Sequence, residues 1–174
     1  GKGGYAVIHL YYGDGKGKTT AAMGLVLRWV GGGGRAVVAQ FLKSAGSGER
    51  LALEQLPRVT LLPAPERLPF LWEMTDRERQ AAGDRCRALA ERAERLWTPE
   101  TLLVLDEVCV AVRSGLLPAE TVNGLLRRLP GAEVVLTGRD PQPQWLRQAD
   151  YVTEMRAVRH PYDQGCPARP GVEY

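Results

Sequence analysis

Gly13-Asp14-Gly15-Lys16-Gly17-Lys18-Thr19-Thr20 constrains this chain more than any other stretch. It follows an apolar run, Tyr5 to Leu10, read as a strand over 5–11, and precedes a helical segment, Ala21 to Val30. Strand, glycine-rich turn, Gly-Lys-Thr and helix is the order in which a phosphate-binding loop operates. Its glycines let backbone N–H groups turn towards one point, and the helix N-terminus adds positive potential there. Lys18 then bridges phosphate oxygens, and the Thr19 hydroxyl ligates Mg²⁺. The spacing departs from the usual pattern. The place five residues before the Gly-Lys pair holds Tyr12, and Gly13 comes one residue late, so the loop is one residue short. The bland alternative is a flexible glycine turn with surface lysines.

The remaining pattern alternates strands with helices, which argues a parallel sheet covered on both faces. Gly31-Gly32-Gly33-Gly34 ends the first helix, glycine taking a left-handed cap without strain. Strands are expected over 36–41, 59–62, 102–105, 133–136 and 151–155, and helices over 49–56, 75–97, 118–129 and 145–149. Thr75 and Glu78 form a capping box, and Ala82, Cys86, Leu89, Ala93 and Leu96 follow at helical spacing. Residues 63–69 are proline-rich and irregular, and the segment from His160 to Gly165 reads as ordered coil.

Leu102 to Leu105 is a continuous apolar run, as in a strand buried on both faces, and it ends in Asp106-Glu107. Downstream of a phosphate loop, one such carboxylate holds Mg²⁺ directly or through water, and the other ligates it or orients the reactants. The alternative is a solvent-facing acidic turn. The polar 43–49 segment follows a strand's C-terminal end, where open α/β sheets bind ligands. Glu49 there suits a ribose hydroxyl or a helix cap. Arg139, after a strand, suits a phosphate or a surface ion pair. Phe70 and Trp72 fit a core plug or a ligand wall. His160 fits a hydrogen-bonded structural role.

At 174 residues the chain is one domain, 1–174, with a net charge of +3 and scattered arginines. That balance, without interleaved aromatics, argues against a nucleic-acid partner. No stretch is apolar enough for a membrane span and no signal-peptide core is visible, so no membrane association is expected. Three dispersed cysteines, Cys86, Cys109 and Cys166, fit reduced thiols in the cytoplasm, with Cys109 as a small buried hydrophobe.

The loop, Gln40-Phe41-Leu42-Lys43, Gly48-Glu49, Phe70-x-Trp72-Glu73, Leu105-Asp106-Glu107 and Leu136-Thr137-Gly138-Arg139 recur in a known order. With His160-Pro161-Tyr162-Asp163-x-Gly165 and Gly171-Val172-Glu173-Tyr174, the chain resembles the P-loop ATP:corrinoid adenosyltransferases over nearly its full length. The resemblance implies a single-domain P-loop (RecA-like) fold, a mostly parallel sheet with helices on both faces. It implies a transferase that moves the 5′-deoxyadenosyl group of ATP to Co(I) of a corrinoid and releases triphosphate, in adenosylcobalamin biosynthesis or salvage. The implied ATP site comprises Gly13, Asp14, Gly15, Lys16, Gly17, Lys18, Thr19, Thr20, Glu49 and Arg139. Thr19, Glu107 and Asp106 are the implied Mg²⁺ site. The resemblance also places Phe70 and Trp72 under the corrin, where bulky rings would exclude a lower cobalt ligand and ease reduction; with Lys18 they are the implied catalytic candidates. A flavoprotein reductant and a homodimer are also implied. The alternatives are a P-loop phosphotransferase or ATPase, and a nucleotide-gated corrinoid carrier without turnover. Pro167, Arg169 and Pro170 make the closing segment stiffer and more basic than the resemblance leads one to expect.

Overall fold

The computed structural model describes residues 4–174. Six strands form one sheet: β1 (Val7–Tyr12), β2 (Arg35–Gln40), β3 (Val59–Leu61), β4 (Thr101–Asp106), β5 (Glu133–Gly138) and β6 (Tyr151–Glu154). Their order is β3-β2-β4-β5-β1-β6, and every pairing is parallel rather than mostly so. The helices are α1 (Lys18–Gly31), α2 (Gly48–Leu53), α3 (Asp76–Leu96), α4 (Val108–Arg113), α5 (Ala119–Arg128) and α6 (Pro143–Gln148).

Parallel strands need crossovers, and the crossover helices cover both faces. Ala22, Met23 and Val26 of α1 and Leu53 of α2 pack on one face, over Val38, Leu102, Val104 and Val135. Helices α3 to α6 cover the other, over Leu10, Val37, Leu103, Leu105, Val134 and Leu136. All six residues of β4 are buried, as its unbroken apolar run requires.

Several boundaries differ from the pattern reading. Helix α1 starts at Lys18, inside the loop motif, because Gly17 (φ 113°) already serves as its N-cap. Of the four glycines, Gly32 is the C-cap at φ −79° and Gly33 takes the left-handed turn at φ 99°. Gly34 is there for space: a Cβ would run into the Trp29 indole, whose Nε1 donates to the Glu100 carbonyl at 2.9 Å. The Thr75–Glu78 capping box forms as read. Leu96 does not join the α3 core; it is exposed in the last turn. Pro118 caps α5 rather than lying in its first turn. Helix α4 is absent from the pattern reading, since Val108-Cys109-Val110-Ala111-Val112 shows no helical period. Residues 161–164 make a 3₁₀ turn. Cys86 and Cys109 are buried thiols pushed up to about 11 and about 12 by burial, and Cys166 is exposed.

Candidate active site

The loop leaves β1 at the C-terminal edge of the sheet and enters α1. Its geometry depends on glycine at two points. A Cβ on Gly13 (φ 124°) would collide with the Met155 carbonyl, and one on Gly15 would lie 2.7 Å from the Met155 carbonyl carbon. The chain leaving β6 therefore lies directly on the loop. Gly15 N–H donates to the Met155 carbonyl at 2.7 Å, and Gly13 N–H to the Gly138 carbonyl at 3.2 Å. These two amides are committed to backbone, so the expected convergence of N–H groups falls to the rest of the loop and the helix start. The first helical bond, Ala21 N–H to the Gly17 carbonyl at 2.8 Å, leaves the amides of Lys18, Thr19 and Thr20 outside the helical ladder. Lys18 Nζ donates to the Gly15 carbonyl at 2.7 Å, closing the loop on itself. Burial, then the nearby Arg139 charge, lowers the Lys18 pKa. Asp14 holds the descending chain, its Oδ1 accepting from Ala157 N–H at 3.0 Å.

Under the loop lies a buried polar cluster. Asp106 is wholly buried. Its carboxylate accepts from the Thr19 hydroxyl at 3.0 and 3.1 Å, from Gln40 Nε2 at 3.1 Å and from the Thr137 hydroxyl at 2.7 Å. The acidic-turn alternative is thereby excluded for Asp106. Strand β5 separates β1 from β4, and its Thr137 bridges the gap to Asp106. The Thr137 hydroxyl also accepts from Glu107 N–H at 2.8 Å. Glu107 sits in the left-handed region (φ 61°, ψ 18°) as N-cap of α4. Such a conformation is strained for a non-glycine residue and turns the side chain off the strand direction. Glu107 lines the cleft, and burial, then the adjacent Asp106, raises its pKa.

A cleft of about 680 Å³ opens above this cluster. It is lined by Asp14 to Thr20, Lys43, Glu107 and Arg139, and by parts of the closing segment, among them His160, Tyr162, Arg169 and Glu173. Gly13 lies outside this cleft and faces a smaller neighbouring one with Arg156, to which Asp14 and Arg139 are common. His160 has its structural role: Nδ1 accepts from Tyr162 N–H at 3.1 Å. Glu49 is not part of the cleft wall. It pairs with Lys43 at 2.5 Å and accepts from Gln40 Nε2 at 3.3 Å, and Lys43 carries that link to the cleft. Phe70 and Trp72 are no core plug: they are 61% and 78% exposed. They stack on each other, centroids 4.6 Å apart and planes 6° from parallel, away from the loop cleft.

The donors at the helix start and the cluster below suit a polyphosphate with a hard cation. Thr19, Asp106 and Glu107 offer only oxygen ligands, which fits Mg²⁺. Among the described residues no group of three or more His, Cys, Asp or Glu side chains could cage a metal. Mg²⁺ commonly completes its shell with water and substrate phosphates, so one or two carboxylates suffice. The Gln40–Lys43 and Leu136–Arg139 blocks marked Gln40 and Thr137 but gave them no role, because that role depends on contacts between distant strands.

The profile of the family described as ATP:corrinoid adenosyltransferase BtuR/CobO/CobP matches residues 5–174. The corrinoid adenosyltransferase of Pseudomonas aeruginosa is 36% identical over 171 residues, covering 97% of this chain and 83% of that protein. Corrinoid adenosyltransferase CobA of Salmonella typhimurium is 37% identical over 172 residues, covering 97% and 85%. The corrinoid adenosyltransferase of Escherichia coli K12 is 36% identical with the same coverage.

Proposed function

This chain belongs to the ATP:corrinoid adenosyltransferase family, and we propose from that premise that it transfers the 5′-deoxyadenosyl group of ATP to Co(I) of a corrinoid. The Co(I) electron pair forms the cobalt–carbon bond. The C5′–O bond breaks, and triphosphate leaves with its electrons. All three phosphates depart together, so the site must neutralise an intact polyphosphate rather than a terminal phosphoryl group. The amides of Lys18, Thr19 and Thr20, the ammonium groups of Lys16 and Lys18 and the Arg139 guanidinium are the groups for that task. Gly13, Asp14, Gly15 and Gly17 shape the loop that presents them. Glu49 acts at one remove, through Lys43.

Thr19 and Glu107 would hold Mg²⁺, with Asp106 fixing the Thr19 hydroxyl. The cation would supply Lewis-acid neutralisation of the leaving triphosphate. Phe70 and Trp72 are assigned to the corrin, where their exposed stacked rings can exclude a lower axial ligand. Cob(II) corrinoid without that ligand is easier to reduce, which calls for a low-potential donor such as a flavoprotein. A homodimer in the cytoplasm completes the reading; free buried thiols support the reducing compartment. Among the described residues no helix is long and apolar enough to cross a membrane.

The observation that carries this reading is the Thr19–Asp106 contact beneath the loop: it joins the phosphate loop to the acidic strand in one site. The test is reduced corrinoid, ATP and Mg²⁺, followed by visible spectrum and phosphate analysis. A photolabile adenosylcorrinoid with stoichiometric triphosphate is expected. ADP or orthophosphate as the initial product would overturn it.

A further inference from the structure

Arg50 stands out among the buried groups. It is 4% exposed, and among the described residues it makes no direct ion pair; Glu54 and Glu49 act on its charge only at longer range. A guanidinium buried without a carboxylate in direct contact is costly, and an aliphatic side chain would fill the space at less expense. Its bonds point to what it supplies. Nη1 donates to Gln40 Oε1 at 3.0 Å, and Nη2 to the Leu62 carbonyl at 2.9 Å. Arginine has donors only, so the Gln40 carboxamide must turn its oxygen towards Arg50. Its nitrogen is then obliged to face the other way, towards Asp106 Oδ2 at 3.1 Å and Glu49 Oε1 at 3.3 Å. Asp106 in turn meets the Thr19 hydroxyl. Arg50 of α2 and Gln40 at the end of β2 donate in turn towards Asp106 at the end of β4, which Thr19 of α1 meets as a donor from the other side.

We propose that Arg50 is a positioning residue: through Gln40 it fixes the Asp106 carboxylate and so the Thr19 hydroxyl that faces the cation of MgATP. This rests on the assignment of Thr19 and Asp106 to the cation side of the nucleotide. Groups that orient a cation's ligands commonly change its affinity ten- to a hundredfold when removed. The experiment is calorimetric titration with ATP, in Mg²⁺ and in excess chelator, of wild type, Arg50→Met, Gln40→Leu and the double variant. Arg50→Met should weaken binding about ten- to a hundredfold in Mg²⁺. With chelator, where the loop alone holds the phosphates, binding should stay within about twofold of wild type. The double variant should bind like Gln40→Leu alone, since both act on one link. Unchanged affinity in Mg²⁺, equal losses in both conditions or additive losses in the double variant would overturn the inference. If Arg50→Met does not fold, Arg50→Lys is titrated by the same scheme. If neither folds, Arg50 is a structural residue and the inference fails. A wild type indifferent to Mg²⁺ would remove the cation assignment itself; an Mg²⁺-dependent wild type beside an unresponsive Arg50 variant would remove this inference alone.

Discussion

Single residues carry the loop's geometry and its links to the sheet. Gly15 tolerates no Cβ, because the backbone of Met155 and Arg156 lies against it at 2.7 to 2.8 Å. Gly15→Ala must push the post-β6 chain off the loop, at a cost of about 1–3 kcal/mol for overpacking. Thermal unfolding should show the loss, and ATP affinity should fall with it. Glu49 gives a pH-dependent counterpart. Burial acts to raise its pKa, but the hydrogen bond and charge of Lys43, with Gln40, outweigh this and leave it below the usual glutamate value. A depressed carboxylate contributes stability above its unfolded pKa and loses it as pH falls through the folded value. Glu49→Gln should therefore lower Tm near neutral pH by about 2–4 °C, on the order of 1 kcal/mol. The gap to wild type should begin to narrow as pH falls through the usual glutamate value, about 4.3, and close only below the depressed folded value. A gap that widens in acid would contradict the Lys43–Glu49 account. Asp106 and Lys18 were legible because strand-end and loop spacing mark them. Gln40 and Thr137 stood in recurring blocks without a readable role, and Arg50 was not marked at all, because an ordinary polar residue gains its role only when distant segments meet.

At the scale of elements, the sheet order decides what the motifs can do. Strand β5 lies between the loop strand and the acidic strand, so Thr19 and Asp106 meet only because α1 starts inside the motif and its first turn reaches across. Alternation of apolar strands and capped helices made this architecture readable, and the long α3 with its capping box most of all. Helix α4 escaped because its sequence is apolar at every position from Val108 to Val112, so it carries no amphipathic period although only Val108, Cys109 and Ala111 are buried. The segment 70–73 was readable as aromatic but not as exposed, since large rings more often fill cores. Its 3₁₀ turn, Leu71–Glu73, presents the stacked Phe70–Trp72 pair to solvent. Because the pair is outside the loop cleft, Phe70→Ala and Trp72→Ala should separate two activities. Each should lose most adenosylation from cob(II)alamin, roughly tenfold or more, while ATP binding stays within about twofold. Unchanged turnover in both variants would refute the corrin assignment.

For the whole molecule, the chain after β6 closes what the sheet opens. The core ends at Trp145 among the described residues, and nearly everything beyond is exposed. Residues 155–157 are tied to the loop by the Met155 and Ala157 bonds. Past them, the strap is held mainly by its own contacts: Cys166 N–H to the Pro161 carbonyl, Gly171 N–H to the Tyr174 carbonyl, and the Arg169–Glu173 ion pair. Yet it lines the cleft and ends beside α2, where the Tyr174 carbonyl comes close to Gly48. A segment that lines a site but adds nothing to the core should be separable from the fold. Removing residues 161–174 should shift Tm by less than about 3 °C, since little apolar burial is lost. ATP affinity should fall at least about fivefold, near 1 kcal/mol, because one wall of the cleft goes with them. Calorimetric titration and thermal unfolding of the same truncated protein measure both. A large drop in Tm would make the strap part of the folding unit, and unchanged affinity would leave the nucleotide gripped by the loop side alone.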